Sequence, residues 1–252
     1  MSGDVRRVRR SLCWSAALLV SLSASAARGQ APPVHRAMRV LDLGHPLRAA
    51  DPSWDGKPAF EREGTPRNGR FESQEHFGTH LDAPSHFGGA WTVDRIPPER
   101  LVRPGVCINV TGKPEDYQVT AADLKAWESA HGAIPDGAVV FIATGWDARW
   151  PDRAAYMNER RGVKHFPGIG VDAARYLVER KVAGIGIDTP SVDYGPSTQF
   201  ETHNITNPAN IYHIENARGL TTLPPSGFTV VVAPINLAGG SGGPTRVLAL
   251  LP

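Results

Sequence analysis

The stretch EHFGTHLDAPSHF, residues 75–87, constrains this chain more than any other part of it. Four groups that bind metals or protons, His76, His80, Asp82 and His86, fall within eleven residues. A helix would put His76 and His80 on one face, but Gly78, β-branched Thr79 and Pro84 oppose a helix there. From His80 onward the order His80-x-Asp82 has the period of a strand, so both side chains project to the same side. A turn at Phe77-Gly78-Thr79 then folds His76 back towards them. Four such groups repel one another once the imidazoles are protonated, unless a cation or a reaction justifies them. Two imidazoles and a carboxylate converging on one point form a ligand set for Zn²⁺, Mn²⁺ or Fe²⁺. Fewer than six protein ligands leave a coordination position open, the mark of a catalytic ion.

The remaining chain predicts the scaffold that carries this stretch. Its 252 residues suit one sizeable domain. MRVLDLGHPL (38–47), VCINVTG (106–112), AVVFIATGW (138–146), AGIGIDTPSV (183–192), FTVVVAPINL (228–237) and TRVLALLP (245–252) read as strands with their exits. TAADLKAWESAHG reads as a helix with Thr120 as N-cap, Asp123 in its first turn and Gly132 at its end. VDAARYLVERKV is a second, amphipathic helix. Strands and helices interleave, which predicts an α/β single domain with a mixed β-sheet flanked by helices. Residues 49–70, rich in Pro, Gly and charge and without a sustained period, read as a long surface loop. Polar clusters follow the apolar strands at TGWDARW and DTPSVDYG, and sites gather at such strand ends.

Residues 1–29 have an Arg-rich start, an apolar run and small residues, the pattern of a signal peptide. The domain is then 30–252, and the expected location is periplasmic or secreted, with no membrane association after cleavage. A net charge of +2 gives no hint of a nucleic-acid partner. Of the two cysteines, Cys13 lies in the signal and Cys107 in a strand, so no intramolecular disulfide is expected and Cys107 reads as a core residue.

A second polar group lies downstream in FETHNITNPANIYHIENARGL. His203 and Glu215 are candidates to complete the ligand shell, with Glu201 and His213 as competitors. Asp188 and Asp193 suit roles behind it, orienting an imidazole or touching substrate, or else as strand-end caps. Ser191, between them, has no nucleophile elbow around it. GGSGGP (239–244) reads as a tight turn near the site.

HFGTHLDAPSHF resembles the H-x-G-T-H-x-D-x-P-x-H signature of the cyclase-like metal-dependent hydrolases, the family of bacterial kynurenine formamidases and isatin hydrolases. DLGHPL, FGGAWTVDRIPPERL, ATGW, GIDTPSVDYG and GGSGGPTRV extend the similarity over nearly all of 30–252. The resemblance implies the cyclase-like hydrolase fold and a divalent cofactor, Mn²⁺ or Zn²⁺, as one or two ions. In the formamidase pattern it implies that His76, His80 and Asp82 bind a first metal and that Asp82 bridges to a second. His203 then binds the second metal, Glu215 touches both, and His86 moves protons. The isatin hydrolase pattern has a single manganese. Trp54 resembles an aromatic that lines the substrate pocket, although Asp55 stands where a Pro commonly follows. A homodimer or homotetramer is implied as well.

The expected activity is hydrolysis of C–N amide bonds in small aromatic or cyclic amides, closer to the isatin hydrolase pattern than to arylformamidase action on N-formylkynurenine. The contrasting expectation is a metal-dependent protein that binds small carboxylates without turnover. His86, a proton-transfer group beyond the ligand set, separates the two.

Overall fold

A computed structural model describes residues 38–150 and 152–252, so the signal-peptide expectation lies outside the described residues. The first half of the chain holds β1 (Arg39–Asp42), β2 (Phe60–Thr65), β3 (Asn68–Ser73), β4 (His80–Asp82), β5 (Val102–Asn109), β6 (Gln118–Val119) and α1 (Ala121–His131). There follow β7 (Val139–Ala143), α2 (Arg153–Met157), β8 (Gly168–Ile169), α3 (Val171–Glu179) and β9 (Gly184–Ile187). The C-terminal part holds α4 (Glu201–Thr206), β10 (Tyr212–Glu215), β11 (Phe228–Pro234) and β12 (Gly242–Leu251).

Eight strands form one mixed sheet in the order β1-β12-β11-β5-β7-β9-β10-β4. The neighbours β5, β7, β9 and β10 pair in parallel, as interleaved helices require, and the other pairings are antiparallel. The mixed sheet agrees with the sequence reading, but it also closes on itself. β12 is ten residues long, starting at Gly242 rather than Thr245. One of its edges pairs Leu248–Leu251 with β1 and Gly242–Pro244 with β4, so seven strands form a barrel-like ring.

Alternation along each strand sorts the two faces of the ring. Leu81, Cys107, Phe141, Tyr212, Ile214, Val230 and Val247 pack together inside it. β9 contributes glycines to that interior, because a Cβ on Gly184 would lie 2.2 Å from the Tyr212 ring and one on Gly186 2.3 Å from the Phe141 ring. Outside, Val140, Ile142, Ile185 and Ile187 bury against α1 and α3 through Leu124, Trp127, Ala174 and Leu177. Helix α1 starts with a capping box between Thr120 and Asp123, and Gly132 ends it at φ 92°, as the sequence predicts.

The segment 49–70 is not a loop throughout. β2 and β3 form a hairpin, registered from Phe60↔Ser73 to Thr65↔Asn68. Nearly all of it is exposed, so neither face carries the apolar alternation that reveals a strand. Among the described residues no helix is long and apolar enough to cross a membrane.

Candidate metal centre

β4 and β10 are antiparallel neighbours with His80 opposite Glu215 and Asp82 opposite His213. Leu81 and Ile214 point into the barrel core, so these four polar side chains share the outer face, where all four are buried. Gly78 turns the chain just before β4 at φ 63°, where a Cβ would lie 2.3 Å from Leu47 Cδ2. That turn brings the His76 ring to 5.3 Å from the His80 ring. Pro84 opens a 3₁₀ turn at Pro84–Phe87, and it stacks His86 on His76 with ring centroids 4.1 Å apart. α4 delivers His203 from the opposite side.

Each of three imidazoles has one nitrogen tied to the protein, which leaves the other facing the centre. His80 Nδ1 donates to Gly78 O at 2.9 Å, freeing Nε2. His203 Nδ1 donates to Asp193 Oδ2 at 2.6 Å, also freeing Nε2. Ser241 Oγ donates to Glu75 Oε2 at 2.7 Å, so it accepts from His76 Nε2 at 3.0 Å and His76 faces the centre through Nδ1.

These free nitrogens surround Asp82, whose two oxygens serve two sides. Oδ1 lies 2.6 Å from His76 Nδ1 and 3.1 Å from His80 Nε2. Oδ2 lies 3.3 Å from His203 Nε2. Glu215 divides likewise, with Oε2 3.5 Å from His80 Nε2 and Oε1 3.5 Å from His203 Nε2. Lone pairs this close to carboxylate oxygens need protons or cations between them, so the donor set fits a divalent metal.

The titration of the groups agrees. Burial opposes charge on His80, yet Asp82 and Glu215 outweigh it and raise its pKa to about 9. Burial is outweighed in the same way at His203, where Asp193, Asp82 and Glu215 raise it to about 10. Burial and then the charge of Asp82 push Glu215 up to about 7. At Asp82 burial is overridden by His80, His203, His213 and His76, which hold its carboxyl well below the usual range. Without a cation, the carboxylates draw protons onto the imidazoles; ligation requires those protons to leave.

Above the centre opens a cavity of about 330 Å³, whose wall includes Trp54, His86, Phe87, Met157 and Phe200. Its size lies in the range of small-molecule sites. Trp54 is 42% exposed at its edge, tilted against Phe200 and capped by the Lys164 ammonium 4.3 Å from its ring. One edge of His86 is open to this space. The protein packed around the rest of the ring lowers its pKa to about 4 against the pull of Asp82, with His76, His203 and His213 adding to the effect.

The two aspartates of DTPSVDYG separate. Asp193 backs His203, and its Oδ1 also accepts from Thr202 N at 2.7 Å at the start of α4. Asp188 touches no imidazole: its carboxylate accepts from Thr144 N, Thr144 Oγ1 and Gly145 N and holds the turn after β7. Of the downstream competitors, Glu201 is engaged by Ser197 Oγ at 2.6 Å, whereas His213 lies against Asp82. Sequence reasoning missed Glu75, which fixes His76 through Ser241; a carboxylate beside the His cluster was the available signal.

Fold and site together define a protein with a buried imidazole–carboxylate metal site on a ring-closed mixed sheet. Residues 41–194 match the family model described as "Putative cyclase". The chain is 34% identical over 191 residues to an isatin hydrolase of Roseibium aggregatum, covering 71% of this chain and 72% of that one. It is 27% identical over 221 residues to a kynurenine formamidase of Sphingopyxis alaskensis, covering 83% and 97%. Among solved structures, isatin hydrolase A from Ralstonia solanacearum superposes with a TM-score of 0.78 at 34% identity, covering 85% of this chain and 92% of that one. The protein belongs to the cyclase family of hydrolases.

Proposed function

We propose that this protein is a metal-dependent amide hydrolase that opens the C–N bond of small cyclic or aromatic amides of the isatin type. The observation that carries the reading is His86. Its imidazole stands in the cavity wall, stacked on the metal-facing His76, and among the described residues it makes no hydrogen bond. A group so placed is free to move a proton beside the reacting bond. The isatin hydrolase relatives support the substrate class.

Asp82 and Glu215, with His76 and His80 on one side and His203 on the other, are the residues to hold one or two ions of Mn²⁺ or Zn²⁺. Such an ion polarises a carbonyl and lowers the pKa of water towards ~7. Trp54, Phe87 and Phe200 offer aromatic faces to a flat ring and exclude water from one side of it. His86 takes a proton from the attacking water at a ring nitrogen and returns it to the leaving nitrogen. Water and amide become a carboxylic acid and an amine.

A second reading, arylformamidase activity, is favoured by one specific feature. Both carboxylates span two imidazole groups, an arrangement with room for two ions. Hydrolysis of isatin and of N-formylkynurenine, each with and without chelator, tests the proposal. Chelator-sensitive opening of isatin supports it, and turnover of formylkynurenine alone moves the protein to the second reading. Metal binding with no turnover of either would leave a carboxylate-binding protein. The N-terminal pattern supports export to the periplasm or medium, which N-terminal sequencing of fractionated protein tests. The assembly expected from the family, a homodimer or homotetramer, is measured by light scattering.

A further inference from the structure

A buried imidazole in this centre has a role that the proposed ligand set leaves unassigned. His213 is wholly buried on β10, directly across from Asp82. Its Nε2 lies 2.7 Å from Thr206 Oγ1 and 3.3 Å from Asn207 Nδ2. Thr206 gives its single hydroxyl hydrogen to Thr202 O at 2.7 Å; Asn207 Nδ2, which gives one of its two hydrogens to Ile211 O at 3.0 Å, makes the longer contact to the ring. The short Thr206 contact therefore takes its hydrogen from the ring, which places the proton on Nε2. Nδ1 is left as a bare lone pair with no hydrogen-bond partner. It faces Asp82 Oδ2 at 3.8 Å, too far for a hydrogen bond but within the span of two ligands on one cation. His203, whose Nε2 also approaches Oδ2, packs its ring edge-on against His213 with centroids 4.6 Å apart. A fully buried acceptor without a partner is costly, and a cation beside Asp82 Oδ2 removes that cost.

We propose that His213 is a fourth imidazole donor of the centre, binding through Nδ1 the cation held by Asp82 Oδ2 and His203 Nε2. The inference rests on the metal reading above and deepens it. With Glu215 Oε1, that cation has four protein donors, the number at which zinc sites close. The His76–His80 side offers four donors as well, with Asp82 Oδ1 and Glu215 Oε2, and lies beside the stacked ring of His86.

The test compares wild type with His213→Gln and His213→Asn, each titrated with Zn²⁺ and with Co²⁺ as a spectroscopic probe. Gln keeps a donor near Nε2 for Thr206 but has nothing at the position of Nδ1, whereas Asn puts an amide atom there. Circular dichroism of the metal-free proteins establishes that the variants fold. His213→Gln is expected to retain one fewer equivalent, or to bind its second ion more weakly by more than the ~10–100-fold that loss of an outer partner costs. Its Co²⁺ visible band shifts as a nitrogen donor is lost, and Asn recovers part of the affinity. An unchanged Co²⁺ band, or an affinity loss no larger than that ~10–100-fold, would overturn the assignment. Absence of ions from wild type itself would instead defeat the metal reading, so the two failures are distinct.

Discussion

His203 Nδ1 donates to Asp193 Oδ2 across 2.6 Å, and the other oxygen of the same carboxylate caps Thr202 N at the start of α4. One buried side chain thus sets both the helix that carries the imidazole and the nitrogen that faces Asp82. Asp193→Asn disturbs the tautomer with little change in shape. Metal affinity is expected to fall ~10–100-fold with the fold retained, read by competition with a chromophoric chelator. Affinity equal to wild type would remove Asp193 from the account.

His86 makes no hydrogen bond to the centre, but it stacks on His76 and brings a ring nitrogen within 4.8 Å of the ligand atoms of Asp82 and His203. His86→Ala is expected to lower kcat ~10²–10⁴-fold while metal content by elemental analysis stays as in wild type. Full activity of this variant would refute the proton-transfer role.

Metal affinity depends on pH with a definite sign. In the metal-free protein His80 and His203 hold protons up to about 9 and about 10, and ligation must displace them. Affinity therefore rises with pH towards those values, by up to ~tenfold per unit for each proton released. Calorimetry in buffers of different ionisation enthalpy counts the protons, and release of none contradicts the scheme. For the metal-free fold the same raised pKa values stabilise fully below 6.5, and that contribution is lost as pH rises through about 9 and 10.

Stability should answer to the glycines of β9. Gly186→Ala pushes a methyl group into the Phe141 ring inside the barrel. A loss of ~1–3 kcal/mol is expected in denaturant unfolding, with metal stoichiometry unchanged. A neutral result would show that the barrel interior yields easily.

These residues also mark how far the sequence could be read. His80-x-Asp82 is legible because its strand period needs no partner strand to be recognised. His213-x-Glu215 has the same period, but Tyr212 and Ile214 mask it until β4 is seen alongside. Ring closure was hidden because Gly242, Gly243 and Pro244 read as a turn, although they pair with Asp82, Leu81 and His80. Asp188 and Asp193 look alike in sequence, and only the geometry after β9 sends one to Thr144 and the other to His203. The β2–β3 hairpin left no apolar pattern because it buries almost nothing.

The most direct test of the central claim is elemental mass spectrometry of the purified protein, beside an isatin-opening assay on the same sample before and after chelation. The account predicts one or two equivalents of manganese or zinc per chain, with activity lost when they are stripped and restored when they return. A metal-free protein that opens isatin at an undiminished rate would contradict it.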